Sequence, residues 1–417
     1  MGAVKIQPDR LLADLGALAA IGDTGDGGNC RLALTDDDAG GRELVAGWMR
    51  ELGLDVRVDR IGNVVATRAG ADAEAGLAPI MTGSHIDTVR TGGRYDGTLG
   101  VLAGLEVVRA LDDGGIRTRR PLAVAFFTDE EGSRFAPDML GSLVYVGGMP
   151  LEDALDLVAI DGAVLGDELE RIGWAGEAAV PGPAPHAYVE LHIEQGPVLE
   201  EAGVTIGAVT GVQGISWQEL TLTGQSNHAG TTPMRLRRDP AFVAAEVTTF
   251  VRRLATELGG HQVGTVGRFD LHPDLVNVVA ARAALTVDLR NTDEGVLAEA
   301  ERRVREHVAD VAEAEGCGAE WRRLARFEPV AFASAVIDLV VATAERLGHS
   351  VMRLPSGAGH DAQMLARVCP TGMVFVPSQG GVSHNPTEFT EPDHLAAGVQ
   401  VLAEVLAELA EVVEVVE

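Results

Sequence analysis

Three short stretches, Leu122 to Phe127, Tyr188 to Ile193 and Thr371 to Val376, constrain this chain more than anything else in it. Leu122 to Phe127 is apolar at every position, the pattern of a strand covered on both faces in a parallel sheet. The other two repeat that design, and a shorter run, Pro79 to Thr82, feeds Gly83-Ser84-His85-Ile86-Asp87. Each run hands over to a candidate ligand: His85, the acidic triplet Asp129-Glu130-Glu131, His192 and, a little further on, His384. Open α/β sheets bind ligands beyond the carboxyl ends of their strands, so four such ends can meet at one crevice.

Helical spacing appears over Asp9 to Ala20, over Arg42 to Leu52, and at Leu99, Val101, Leu102, Leu105, Val108 and Leu111. Val56 to Ala66 reads as extended, with a turn at Gly62-Asn63. The rhythm then changes between residues 212 and 328. Ser216 to Thr223 alternates as a strand, Asp239-Pro240 caps a helix reaching Leu258, Gln262 to Asp270 and Ala283 to Arg290 are extended, a helix covers Asp293 to Glu315, and a strand lies near Ala319 to Leu324. This β-α-β-β-α-β order is a split βαβ unit. The expected architecture is an α/β domain with a mostly parallel sheet flanked by helices, residues 1–211 and 329–417, interrupted by a smaller α+β domain, residues 212–328. A helix is expected over Ala335 to Leu347, and the glutamates at 404, 408, 411, 414 and 417 mark an amphipathic C-terminal helix that serves packing.

Composition removes several function classes. The formal net charge of −29 opposes nucleic acid or an anionic membrane as partner. Lys5 is the single lysine, so a Schiff-base lysine and a phosphate-binding P-loop are excluded. Cys30, Cys317 and Cys369 are widely spaced and form neither a disulfide framework nor a thiolate zinc site. Without a leader-like N-terminus or an apolar stretch long enough to span a bilayer, a cytoplasmic protein is expected.

What remains is the chemistry of His85, Asp87 and Asp96, set among glycines between residues 83 and 97. Imidazole and carboxylate together suit zinc, manganese, cobalt or nickel. Crowded carboxylates such as Asp129-Glu130-Glu131 repel one another unless solvated or neutralised by a cation.

These residues also carry a resemblance. Gly-Ser-His-x-Asp-Thr-Val at 83–89, Gly-Gly-x-x-Asp-Gly at 92–97, Glu-Glu-Gly-Ser-Arg-Phe at 130–135, His-Ile-Glu-Gln-Gly-Pro at 192–197 and Asn-His-Ala-Gly-Thr-Thr-Pro-Met at 227–234 occur in this order. Ser-Gly-Ala-Gly-His-Asp-Ala at 356–362 and Gly-Gly-Val-Ser-His-Asn-Pro at 380–386 follow. Together they resemble the N-carbamoyl-L-amino-acid hydrolase and allantoate amidohydrolase branch of the M20 metallopeptidase family.

The resemblance implies a hydrolase with two divalent ions, zinc foremost. His85 and His192 would hold one ion, Glu131 and His384 the other, and Asp96 would bridge them. Glu130 would be the general base, and Asp87 the acceptor that fixes the His85 tautomer. Gln195, His228, Asn277, Arg290 and Gly359 would contact a small ureido or carbamoyl acid, with His228 reaching across a homodimer formed by the inserted domain. The family pattern breaks at Ala280-Ala281, where relatives carry Pro-Gly, which puts the turn beside Asn277 in question. Two other readings stand beside this one: an aminoacylase or dipeptidase using the same ions, and a non-catalytic metal-binding protein.

Overall fold

The four stretches are strands, β1 (Ile80–His85), β2 (Leu122–Phe127), β3 (Ala187–Ile193) and β4 (Thr371–Val376), and every residue in them is buried. They lie side by side in the order β2-β1-β3-β4, all parallel. On either side the direction reverses: Val64–Arg68 runs antiparallel to β2, and Ile206–Val212 antiparallel to β4. The sheet is therefore mixed, with its parallel strands at the centre. The turn that Asp59 closes, accepting the Ile61 and Asn63 main-chain N–H groups at 3.0 and 2.9 Å, joins Val64–Arg68 to a further antiparallel strand, Asp55–Val58.

The computed structural model describes residues 4–72 and 75–415. Its chain divides into two units, Met1–Gly211 with Ala331–Glu417, and Val212–Val330. In the first, helices Pro8–Ala19, Thr98–Asp113 and Pro392–Leu409 pack on one another, and the latter two also on the central strands. Thr98–Asp113 lies especially close because it presents Gly100 to the sheet: a Cβ there would meet the Leu191 carbonyl oxygen at 2.6 Å. Short helices Leu140–Tyr145 and Asp361–Leu365 also pack on the central strands.

Two boundaries differ from the sequence reading. The second helix begins at Asp36, well before Arg42, because Thr35 caps it by accepting the Asp38 N–H. The C-terminal helix stops at Leu409, and Val412–Val415 pairs as a strand with Ile116–Thr118. Glu411 makes the break with a φ of 58°, and β-branched Val412 and Val413 favour the extended chain. Glu417 lies outside the described residues.

The second unit contains Gly214–Thr223, helix Pro240–Leu258, strands Val263–Thr265, Phe269–His272 and Arg282–Asn291, helix Glu294–Glu315 and strand Gly318–Phe327. The long extended stretch after Gln262 is thus two strands, both paired with Arg282–Asn291. Leu220, Val247, Val251, Leu285, Val304 and Val308 form the core of this unit. Among the described residues, no helix is long and apolar enough to cross a membrane.

Candidate metal centre

The strand ends deliver their side chains together. His85 closes β1, Glu130 and Glu131 follow β2, His192 lies in β3, and His384 lies beyond β4. Asp96 comes from the loop before helix Thr98–Asp113, where Gly97 has a φ of 65° and a Cβ would lie 2.3 Å from the His85 ring. A side chain at position 97 would separate the imidazole from the carboxylate. Three non-glycine residues here also have left-handed backbones: Asp129 (55°), Gln195 (59°) and His384 (53°). Such conformations cost about 1 kcal/mol or more each and collect at functional sites.

Asp96 divides its two oxygens. Oδ1 faces His192 Nε2 at 3.2 Å and His85 Nε2 at 3.6 Å. Oδ2 faces His384 Nε2 at 3.3 Å, and that nitrogen is also 3.3 Å from Glu131 Oε2. The donor atoms of His85, Asp96 and His192 lie within 4.8 Å of one another, as do those of Asp96, Glu131 and His384. Glu130 Oε2 stands 3.4 Å from His85 Nε2.

Whether this set fits cations can be read from the opposite side of each ring. His85 Nδ1 lies 3.0 Å from the Asp87 carbonyl oxygen, and His192 Nδ1 lies 2.9 Å from that of Ile193. A carbonyl only accepts, so each Nδ1 carries the proton and each Nε2 keeps its lone pair facing Asp96. His192 Nε2 also accepts the Gly97 N–H at 3.1 Å. Glu131 Oε1 is buried with no hydrogen-bond partner, an acceptor that a cation would satisfy. The residues fit two ions that share Asp96.

Another buried cluster, Glu190, His192 and His360, does not invite a metal. Glu190 already accepts from Ser84 Oγ at 2.6 Å, the Tyr188 hydroxyl at 3.2 Å and the Ala362 N–H at 2.9 Å. His360 Nε2 is engaged by Ser356 Oγ at 2.8 Å, and its ring meets His192 edge-on at 4.6 Å. These groups buttress His192. The sequence reading missed them, although Glu190 stands two residues from His192 on the same side of β3, which is a readable signal.

Asp87 meets its neighbours through both its main chain and its side chain. Its main-chain carbonyl fixes His85, while its carboxylate, 3.8 Å from that ring, accepts the N–H groups of Glu130 at 3.2 Å and Glu131 at 3.3 Å. It orients the segment carrying both glutamates. Gln195 Nε2 donates to Asp96 Oδ2 at 2.8 Å. Ser383 and Glu388, also unforeseen, stand behind Asp96: Ser383 Oγ is 3.0 Å from both Asp96 Oδ2 and Glu388 Oε2.

Burial opposes ionisation of Asp96, but the neighbouring imidazoles of His192, His384 and His85 hold its carboxyl well below the usual range. The neighbouring glutamates shift the other way. Burial and then Asp96 push Glu131 up to about 8, and burial raises Glu130 strongly, with His85 opposing and Asp361 adding to the rise. Burial and then Asp87 raise Asp129 well above the usual carboxylate range.

Of the remaining residues read as substrate contacts, Gly359 belongs to the first unit and His228, Asn277 and Arg290 to the second. Gly359 has Met139 against it: an added Cβ would meet Met139 Cε at 2.9 Å. In the second unit, His228 and Asn277 are exposed neighbours, because Asn227–His228 pairs with Val278–Val279 and the Ala229 N–H bonds the Asn277 carbonyl at 2.9 Å. Ala280-Ala281 therefore leaves Asn277 beside His228. Arg290 is held by Asp288 at 3.0 Å and stands 5.6 Å over the Trp217 ring.

Known proteins resemble this chain along most of its length. The chain is 43% identical over 410 residues to an N-carbamoyl-L-amino-acid amidohydrolase of Rhizobium meliloti, covering 98% of each chain. It is 31% identical to a ureidoglycolate hydrolase of Arabidopsis thaliana, covering 98% of this chain and 87% of the relative. A crystal structure of an amidase of the hydantoinase/carbamoylase family from Burkholderia multivorans superposes with a TM-score of 0.95 at 46% identity, covering 98% of both chains. Residues 81–408 match the model of peptidase family M20/M25/M40, and the chain is a hydrolase belonging to that family.

Proposed function

We propose that the protein hydrolyses the carbamoyl or ureido C–N bond of a small acid with a free carboxylate, an N-carbamoyl-L-amino acid or an allantoate-like ureido acid. The division of Asp96 between two sets of donors carries this reading, with Glu130 beside them. His85 and His192 would hold one divalent ion, Glu131 and His384 a second, and Asp96 both, with zinc the first choice and manganese, cobalt or nickel as alternatives. Bound ions supply Lewis acidity and a water that ionises near neutral pH.

Glu130 accepts the proton of the water that attacks the ureido carbonyl and returns it to the departing nitrogen. A buried carboxyl with a raised pKa suits both transfers. Asp87 keeps Glu130 and Glu131 aimed inward through their main-chain N–H groups. Gln195 steadies Asp96. Arg290, oriented by Asp288 until substrate arrives, presents a guanidinium to the substrate carboxylate. Asn277 and Gly359 complete the polar contacts. The protein would work as a cytoplasmic homodimer through the inserted domain, with His228 donating to the carbonyl oxygen in the partner subunit's site. The two relatives, one named for N-carbamoyl-L-amino acids and one for ureidoglycolate, support this substrate class.

The test is ammonia release from N-carbamoyl amino acids, allantoate, ureidoglycolate and β-ureidopropionate, each with zinc, manganese, cobalt and nickel. Turnover of at least one with a metal requirement is expected. Cleavage of N-acyl amino acids or dipeptides alone would move the assignment to an aminoacylase or dipeptidase.

A further inference from the structure

We propose that the turn Ala229–Thr232 and the side chain of Arg237 form a positioning device that fixes His228 as a neutral hydrogen-bond donor with its proton on Nε2. The nitrogens of an imidazole are told apart by what each one faces. His228 Nδ1 faces two main-chain N–H groups, Gly230 at 3.0 Å and Thr231 at 3.3 Å. An amide N–H only donates, so Nδ1 presents its lone pair and the neutral ring carries its proton on Nε2. A flipped ring would set a C–H against both donors, which fixes the orientation as well. His85 and His192 have the reverse arrangement, with Nδ1 against carbonyl oxygens. The main chain thus selects a lone pair at Nε2 for the two ligand histidines and a proton at Nε2 for His228.

The turn that supplies the two amides is tied at several points. The Thr232 N–H and hydroxyl both bond the His228 carbonyl, at 3.2 and 2.9 Å. The strand before it is pinned by the pairing of Asn227–His228 with Val278–Val279. Arg237 closes it: Nε donates to the Thr232 carbonyl at 3.2 Å and a terminal nitrogen to the Ala229 carbonyl at 2.6 Å. One planar guanidinium therefore spans the first and last residues of the turn, which a lysine ammonium on a flexible stem cannot reproduce. Gly230 keeps the amides close, since a Cβ there would stand 3.3 Å from His228 Cε1.

The chemistry this prepares for is a carbonyl oxygen that gains negative charge. A pre-oriented neutral N–H stabilises such an oxygen without waiting for a proton from solvent. That use rests on the role proposed for His228, whereas the tautomer and the task of Arg237 stand on the turn itself. Arg237 is a positioning residue, acting through His228.

The experiment uses the full-length protein with ¹⁵N-labelled histidine, above the pH at which imidazoles titrate, with the His228 signals assigned by their loss in His228→Ala. The expected spectrum shows an unprotonated Nδ1 and a protonated Nε2 for His228. Arg237→Ala should turn this into a mixture of tautomers and lower kcat by about tenfold, with KM and metal content little changed. If circular dichroism shows that Arg237→Ala is unfolded, Arg237→Lys decides, with the same direction of change expected. A protonated Nδ1 in the wild type overturns the proposal whatever the activity, and an unchanged tautomer in a folded Arg237 variant overturns the role of that residue. The expected spectrum together with full kcat in His228→Ala upholds the device but removes His228 from the proposed reaction.

Discussion

The Glu388 carboxylate accepts the main-chain N–H of Asp96 at 3.2 Å, so a residue late in the chain sets the position of the carboxylate at the centre of the ligand cluster. The same oxygen accepts the Tyr95 N–H at 3.0 Å, and its partner oxygen meets Ser383 next to His384. Glu388 thereby joins the loop bearing Asp96 to the loop bearing His384. Glu388→Ala should weaken metal retention and lower activity by about 10- to 100-fold, the usual scale for groups that orient ligands. Glu388→Gln, which keeps an acceptor for both amides, should recover most of it. Metal content after dialysis against graded chelator decides, and wild-type retention by the alanine variant would count against this role.

Asp96 belongs to both donor sets proposed to hold ions, which His85, Glu131, His192 and His384 do not. Chelation should abolish activity and added divalent metal should restore it. Asp96→Ala should lose both ions, whereas His384→Ala should lose mainly one. Elemental analysis of purified variants checks this, and full metal content in Asp96→Ala would sink the bridging assignment.

Glu130→Gln separates base from ligand. The amide keeps the size of the side chain but takes no proton, so metal content should stay near normal while turnover falls by roughly 10²-fold or more. A fully metallated variant that retained substantial activity would mean that another group serves as base.

Asp59 gives a pH signature outside the candidate ligand set. Burial, opposed by hydrogen bonds from Asn63 and Ile61, pushes its carboxyl up to about 6. A folded-state value above the ordinary one near 3.8 means that its contribution to stability is complete below that value and is lost as the pH rises through about 6. The slope is at most about 1.4 kcal/mol per pH unit. Asp59→Asn removes this titration, so the advantage of wild type over variant in thermal midpoint should shrink between pH 4 and pH 7. A gap that is the same at both would show that Asp59 does not titrate in this way.

Arg290→Ala should raise KM strongly for carboxylate substrates and change kcat less, because a lost charge-assisted pair mainly weakens substrate binding. Steady-state kinetics on the best substrate of the panel is the measurement. An unchanged KM would remove Arg290 from substrate binding.

The parts of this molecule that were legible in the sequence share a physical basis. A strand buried on both faces must be apolar along its length, so Leu122–Phe127 and Thr371–Val376 announced themselves, and the polar residues that interrupt or follow such runs were conspicuous. His85, Glu131, His192 and His384 stood out in that way, and Asp96 among the glycines between residues 83 and 97. Ser383 and Glu388 were not, since a serine and a glutamate in a polar loop look like solvated surface until the loop folds against Asp96. The role of the Asp87 carbonyl was hidden because a main-chain acceptor leaves no trace in residue identity. Val412–Val415 was misread because the glutamate spacing carried the helical pattern past Glu411, where the backbone turns left-handed.

Gly100 sets the thickness of the layer between helix Thr98–Asp113 and the central strands, because what a larger residue would meet is the Leu191 carbonyl oxygen at 2.6 Å. A neighbouring side chain can be trimmed or rotated to absorb an extra methyl group, but a carbonyl inside a sheet cannot. Asp96 and His85 lie directly in front of this seam, so their separation is inherited from polymer geometry and is shielded from ordinary drift in the core.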